Sequence, residues 1–179
     1  MTQDDALLRL IAPNVEFEES HRSFLKQFQE RGDRVHPSIA ARPFDNFAEY
    51  VAMLSAESRG ENIPSNWVAN STYWLVDADN EIVAISNMRH ELNDFLLTYG
   101  GHIGYGVRPS ARKRGHGIEI LKQTLLMAKG KGIHRVRVTC AKDNPASEKT
   151  ILHNGGVFDD EAVMAEHDEV LRRYWIIND

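Results

Sequence analysis

Apolar side chains repeat with helical spacing in the first part of the chain. They begin after Asn14, which can cap a helix, and Gly32 ends the pattern. The residues on this apolar face are Phe17, His21, Phe24, Leu25 and Phe28. A second helix is predicted over 45–59, and a first strand over 6–12. The polar stretch 61–71, with its proline, asparagines and serines, predicts a long loop.

From Thr72 onward, apolar and polar positions alternate as is typical of strands. The strands predicted here are 73–77, 82–89, 102–108, 135–140, 156–164 and 169–177. Helical spacing returns from Ile118 to Ala128, and another helix is predicted over 145–153. A short helical turn is expected over 94–99.

This order of elements predicts an α/β (α+β) fold. Hairpins dominate the first half of the expected sheet, and a crossover helix lies in its middle. We therefore expect a mixed, mostly antiparallel central sheet of about seven strands flanked by helices. The 179 residues are expected to form a single domain, 1–179.

Charge balance and cysteine content exclude several classes of protein. The net charge is −5, whereas binding to a phosphate backbone needs a basic face, so no nucleic-acid partner is expected. No apolar run approaches the length of about 18 residues that a membrane span needs, so no membrane partner is expected. The one cysteine, Cys140, cannot form an internal disulfide, and the acidic N-terminus lacks the basic region of a signal peptide. A cytoplasmic location is therefore predicted.

A basic loop with two glycines lies between the strand 102–108 and the following helix. Its residues are Arg112, Lys113, Arg114, Gly115, His116 and Gly117. A helix N-terminus offers unpaired N–H groups and a partial positive charge, and glycine lets the backbone approach an anion closely. Together with Arg108 and the three cations of the loop, the helix N-terminus and the two glycines predict a pyrophosphate cradle. No Gly-Lys-Ser/Thr follows, so this is not a P-loop, and a solvated basic turn is the alternative interpretation.

Two motifs carry a resemblance to a known family. Arg112-x-x-Gly115-x-Gly117, between a strand and a helix, resembles the pyrophosphate-binding motif of the GNAT superfamily of N-acetyltransferases. After the next strand, Asn144 and Ser147 open a helix and resemble the second motif of that family, beside the CoA arm. The resemblance covers residues 73–177 and includes the order of strands and helices.

The resemblance implies a GNAT-like fold and the transfer of an acetyl group from acetyl-CoA to the amine of a small-molecule or peptide acceptor. Residues 72–179 are then the CoA-binding core, and residues 1–71 shape the acceptor site. The cofactor-binding residues that it implies are Tyr105, Gly106, Val107, Arg112, Lys113, Arg114, Gly115, His116, Gly117, Asn144 and Ser147. A homodimer is compatible with it, since dimers are common among proteins that this chain resembles.

The sequence departs from the family at one catalytic position. Many members have a tyrosine there that protonates the departing thiolate, and this chain has Ile151. The departure keeps open a second function, a non-catalytic acyl-CoA sensor of the same fold. A thiol with a pKa near 8.5 is a fair leaving group without an acid, and Tyr105 is another possible proton donor.

His102 and Glu91 are the candidates for the general base. His102 begins the strand beside the expected thioester, and an imidazole pKa near 6.5 suits proton abstraction at neutral pH. Glu91 follows the adjacent strand and is the second candidate. The alternatives are a structural histidine and a solvated hairpin glutamate. The histidines show no spacing typical of a metal site, so no metal is expected.

Overall fold

A computed structural model describes residues 8–179, apart from the side chain of His167. The helices are α1 (Glu18–Arg31), α2 (Phe47–Ser58), α3 (His116–Gly130) and α4 (Pro145–His153). The strands are β1 (Arg9–Ile11), β2 (Asn70–Val76), β3 (Ile82–Arg89), β4 (Ile103–Val107), β5 (Arg135–Ala141), β6 (Val157–Met164) and β7 (Glu169–Ile177). This order is the one that the sequence predicts.

Several predicted boundaries shift by a few residues. The loop predicted over 61–71 is shorter, because β2 begins at Asn70. The helical turn predicted over 94–99 is a π-turn, Leu96–Gly100. The predicted first strand is described only as β1, and its residues 6 and 7 lie outside the described part of the chain.

The seven strands form two sheets, which corrects the expectation of one central sheet. One has the order β1-β2-β3-β4 and the other the order β5-β7-β6. Every pairing within the two sheets is antiparallel, so the expected mixed sheet is also replaced by two antiparallel ones. Alternation along a strand predicts which residues share a face, but it contains no information on where two strands separate.

The two sheets meet where β4 and β5 begin. His102 N–H donates to the Arg137 carbonyl oxygen (2.7 Å), and Arg137 N–H donates to His102 Nδ1 (2.9 Å). Beyond this point the two strands belong to different sheets, and α3 connects them along the chain. A cleft therefore opens between β4 and β5 towards their ends at Val107 and Ala141.

Helices cover both faces of the four-stranded sheet. Helices α1 and α2 pack on one face around Phe24, Phe47, Tyr50 and Trp74, which are all buried. Burial of each of these large side chains contributes about 1.5–3 kcal/mol. On the other face, Ile120 of α3 packs against β2 and β3.

Helices α3 and α4 also cover the three-stranded sheet. This core contains Leu121, Val138, Ile151 and Tyr174, all nearly inaccessible to solvent. No helix within residues 8–179 is both long enough and apolar enough to span a bilayer.

Candidate active site

The loop 112–117 is shaped by its backbone before any ligand is considered. Lys113 and Gly115 both adopt left-handed conformations, with φ of +63° and +85°. For a residue with a Cβ this conformation is costly, so glycine is favoured at position 115. Gly115 is also the N-cap of α3 and provides no side-chain hydrogen bond.

This N-terminus differs from those of α2 and α4. Asn46 and Asn144 cap those helices by accepting backbone N–H groups with their side chains. In α3 no side chain takes this role, so N–H groups of its first turn are available to a ligand. The positive end of the helix dipole lies at the same place and favours an anion there.

The cations of the loop have different surroundings. Lys113 and Arg114 are exposed and form no ion pair with any residue in the range 8–179. Arg112 instead donates to Asp33 Oδ2 (2.7 Å) at the end of α1, and its guanidinium lies over the Phe28 ring. Its guanidinium lowers the pKa of the Asp33 carboxyl. Arg112 therefore holds the loop against α1, and Lys113 and Arg114 are available to a ligand.

Arg108 is not one of these cations, contrary to the sequence-based expectation. Its side chain is buried, and it donates to the carbonyl oxygens of Ile82 (2.6 Å) and Ser20 (2.9 Å). It also forms an ion pair with Glu81 (2.9 Å). Its donors are therefore used inside the fold, where they join α1 to β3.

The start of α3 lies tightly between β4 and α4. A Cβ on Gly117 would lie 3.3 Å from Thr150 Oγ1 and 3.6 Å from Val107 Cγ2, so glycine allows this close approach. His116, in the first turn, is buried, and its Nδ1 has no hydrogen-bond partner among the described residues. An orphaned polar atom of this kind is typical of a place where a ligand or water completes the hydrogen bonding.

The free backbone groups of β4 point into the cleft. Arg89 N–H donates to the His102 carbonyl oxygen, and Arg108 N–H donates to that of Val83, both at 2.8 Å. Because hydrogen-bonding groups alternate along a strand, the residues between them with odd numbers direct N–H and C=O away from β3. The amides of Tyr105 and Val107 therefore face β5 across the cleft.

Tyr105 reaches across the cleft to α4. Its Oη lies 2.9 Å from Ser147 Oγ. Burial raises the pKa of Tyr105 to about 12, so the phenol stays protonated at neutral pH. Asn144 Oδ1 accepts the Ser147 N–H (3.1 Å) as the helix cap, while its Nδ2 donates to no described residue.

Ile151 and Cys140 complete the apolar wall behind these hydroxyl groups. Ile151 is fully buried in the same cluster as Tyr105 and Cys140, so position 151 supplies packing and no acid. Burial raises the pKa of the Cys140 thiol to about 11, which keeps it protonated and unreactive.

On its other face, β4 lies against the segment between α1 and α2. A Cβ on Gly106 would lie 2.8 Å from the carbonyl carbon of His36, and one on Gly104 would lie 3.2 Å from Arg89 Nη1. Gly104 and Gly106 therefore allow close approach by neighbouring groups. These partners are not evident in the sequence, because His36 and Arg89 are distant along the chain from the two glycines.

The position of His102 argues against its predicted role as a base. It is buried, and its Nδ1 lone pair accepts the Arg137 N–H, so the neutral ring carries its proton on Nε2. Burial, helped by the charge on Arg89, lowers the pKa of His102 to about 4. The ring in this arrangement offers a hydrogen-bond donor and no free lone pair. Glu91 is exposed beyond the end of β3, and its role as a base stays a prediction.

The loop and the cleft bring together donors and positive charge that suit an anionic, extended ligand. At the end of β4 lie the uncapped amides of α3, the side chains of Lys113 and Arg114, and the His116 Nδ1 atom that has no partner among the described residues. The amides of Val107 and Tyr105 line the cleft at the same place. The described residues contain no group of three or more His, Cys, Asp or Glu side chains placed to hold a metal ion.

Solved acetyltransferase structures share this fold. Ribosomal-protein-S5-alanine acetyltransferase from Vibrio fischeri has a TM-score of 0.72 at 15% identity, over 96% of this chain and 93% of that chain. Microcin C7 self-immunity acetyltransferase, in complex with acetyl-CoA and AMP, has a TM-score of 0.67 at 13% identity, over 96% and 93%. A dodecameric spermidine N-acetyltransferase from Vibrio cholerae has a TM-score of 0.63 at 13% identity, over 97% and 95%.

Identities this low show the fold alone, and no curated protein matches the chain. The sequence itself carries a more specific signal, since the family model of the acetyltransferase (GNAT) domain matches residues 17–157. The match includes the loop 112–117 and the start of α4, and it extends to α1, well before the region of resemblance seen in the sequence. The chain belongs to the GNAT acetyltransferase domain family.

Proposed function

We propose that this protein transfers an acetyl group from acetyl-CoA to an amine by direct attack in a ternary complex. One observation carries the proposal: α3 begins without a side-chain cap at the end of β4, where the cleft towards β5 opens. Family membership and the amine acetyltransferases of the same fold support it. The acceptor is a small molecule or a peptide.

In this proposal the loop 112–117 binds the cofactor diphosphate. The N–H groups of His116 and Gly117 and the side chains of Lys113 and Arg114 supply the donors and the positive charge. Arg112, held by Asp33, fixes the loop in position. The Nδ2 group of Asn144 is free to donate to the pantetheine arm.

The amides of β4 stabilise the negative charge that develops on the carbonyl oxygen. Tyr105 and Val107 direct their N–H groups into the cleft, and such groups cost no reorganisation during the reaction. Since β3 and α3 hold β4 from two sides, these donors are fixed in place.

A hydroxyl pair, Tyr105 and Ser147, assists the departing sulfur. The phenol of Tyr105, with its pKa near 12, does not transfer its proton readily to a thiolate of pKa near 8.5. The pair therefore donates a hydrogen bond to the sulfur, and water supplies the proton. This role takes the place of the tyrosine that Ile151 replaces, and Glu91 remains the proposed base for the amine.

Titration calorimetry with acetyl-CoA and release of free thiol with a panel of amines test the proposal. Submillimolar binding together with amine-dependent thiol release is expected. Lack of binding would contradict the cofactor assignment. Binding of acetyl-CoA without thiol release on any amine would favour the acyl-CoA sensor. The homodimer stays a prediction, and sedimentation of the same samples tests it.

A further inference from the structure

Arg89 differs from the other inward-facing arginines in its lack of an acidic partner. The ion pairs of the others join Arg42 to Glu57, Arg108 to Glu81, Arg137 to Asp159 and Arg173 to Asp160. The guanidinium of Arg89 forms no hydrogen bond or ion pair with any side chain or carbonyl group in residues 8–179. Its backbone N–H donates to the His102 carbonyl oxygen.

The position of Arg89 is set by the sheet. It ends β3 opposite His102, on the face of β4 that also bears Gly104. Its Nη1 lies 3.2 Å from where a Cβ of Gly104 would be, and Pro37 Cβ lies 3.6 Å from that point on the same side. The missing side chain at Gly104 therefore makes room for a guanidinium on the backbone of β4, next to Tyr105.

The surroundings leave this cation without compensation. Partial burial lowers the pKa of Arg89 to about 10, and no carboxylate of the described residues acts in the opposite direction. The ionisable group that faces it is His102, whose own pKa is lowered by burial and by Arg89, so that ring is neutral. A partly desolvated charge without a partner is costly in a fold, and an anion that binds there recovers part of that cost.

We propose that Arg89 binds an anionic group, such as a carboxylate, that the amine acceptor carries, so that amino acids are preferred over plain amines. The inference rests on the proposed function, since it places the acceptor on the Gly104 face of β4. A planar guanidinium binds a carboxylate with two parallel hydrogen bonds, which orients the amine as well as attracting it.

Matched pairs of acceptors test the inference. Each pair is an amino acid and its decarboxylated amine, for example phenylalanine with phenethylamine and lysine with cadaverine. We expect kcat/KM to be about ten- to a hundredfold higher for the amino acid than for its decarboxylated amine, because a charge-assisted pair of hydrogen bonds contributes a gain of this size. In Arg89→Gln this ratio should fall to about one, and in Arg89→Lys it should be intermediate.

Arg34→Gln is the matched control, because Arg34 is an exposed arginine two residues before His36, whose backbone lies against β4, and its loss should leave the ratio unchanged. Equal rates for both members in the unaltered protein overturn the inference but not acetyl transfer. Absence of transfer with every amine overturns the proposed function instead. Calorimetry with the N-acetylated acid and the N-acetylated amine tests the inference when no transfer is seen, and also when Arg89→Gln does not fold. If the unaltered protein binds the N-acetylated acid no more tightly than the N-acetylated amine, the inference is overturned.

Discussion

The start and the end of β4 show two different ways in which one strand contributes to a site. At its end, the N–H groups of α3 and the cations of Lys113 and Arg114 lack partners within the described chain. At its start, His102 is bonded through both its backbone and its ring, and Gly104 lies against Arg89 and Pro37. The end of β4 therefore remains open, whereas its start is mostly completed by the protein itself.

The difference shows why a sequence motif and a tertiary contact give different kinds of information about a site. Groups at the end of β4 are close in sequence, so a short motif contains nearly the whole binding element. Groups at the start of β4 come from β3, β5 and the segment after α1. Arg89 is the exception at the start, since its guanidinium has no acidic partner among the described residues.

Replacement of Gly106 by alanine should have the largest effect and tests whether the face of β4 towards the segment after α1 is closed by the protein. The new Cβ would meet the backbone carbonyl of His36, which is not a flexible side-chain end. We expect a loss of about 3 kcal/mol in the free energy of unfolding, measured by urea denaturation. Gly130→Ala is the control, since its Cβ has nothing within 4 Å and alanine favours the helix. Equal stabilities of the two variants would contradict the close contact.

Mild acid should destabilise the protein through two buried histidines, His102 and His21. Burial lowers the pKa of each from 6.5 to about 4, with Arg89 and Arg22 adding to the shift. Because the folded pKa lies below the unfolded one, this stability is present above pH 6.5 and is lost as the pH falls towards 4. Each ring should account for a loss of about 2 kcal/mol between pH 7 and pH 5, measured by urea denaturation.

His102→Asn separates the two contributions. The amide oxygen can still accept the Arg137 N–H but does not titrate, so about half of the pH-dependent loss should disappear. His153→Asn, at an exposed position on α4, should leave the loss unchanged. Acetyl transfer that survives in His102→Asn would agree with a structural role, and its complete loss would restore His102 as the base.

Neutralising Lys113 and Arg114 together tests whether the end of β4 is open to a ligand. The double variant Lys113→Gln, Arg114→Gln should bind acetyl-CoA about tenfold more weakly, since two exposed charge-assisted contacts are lost. Titration calorimetry measures the change, which should shrink at high salt. Lys129→Gln removes a similar charge at the other end of α3 and should not alter the affinity. Equal affinities for the double variant and the unaltered protein would place the diphosphate elsewhere.

Tyr105→Phe is expected to have the smallest effect, because it removes one hydroxyl from the cleft. The value of kcat should fall about fivefold with little change in the affinity for acetyl-CoA, as loss of one hydrogen bond to the sulfur predicts. Stopped-flow measurement of thiol release checks this. A fall of a thousandfold would make Tyr105 a true acid and would contradict the hydrogen-bond role.

Much of the fold was predictable, since each helix and strand has a local pattern. Gly32 in a left-handed conformation ends α1, and Asn46 and Asn144 cap α2 and α4. The separation of the sheets was not predictable, because the strand pattern on either side of a cleft is the same as within a sheet. Arg108 was misassigned for a similar reason: its charge is evident in the sequence, but its contact with Ser20 is not.

The sequence by itself determined the order of elements and the family, and it predicted the place where an anion would bind. These depend on neighbouring residues: periodicity, left-handed glycine and the N–H groups of one helix turn. Only the tertiary structure decided that Arg112 is held by Asp33 and that His102 Nδ1 accepts the Arg137 N–H. It also decided that Arg89 lies beside Gly104 without an acidic partner among the described residues. Each of these facts is a pairing across elements, and whether a polar group is free or satisfied depends on partners that only the folded chain brings together.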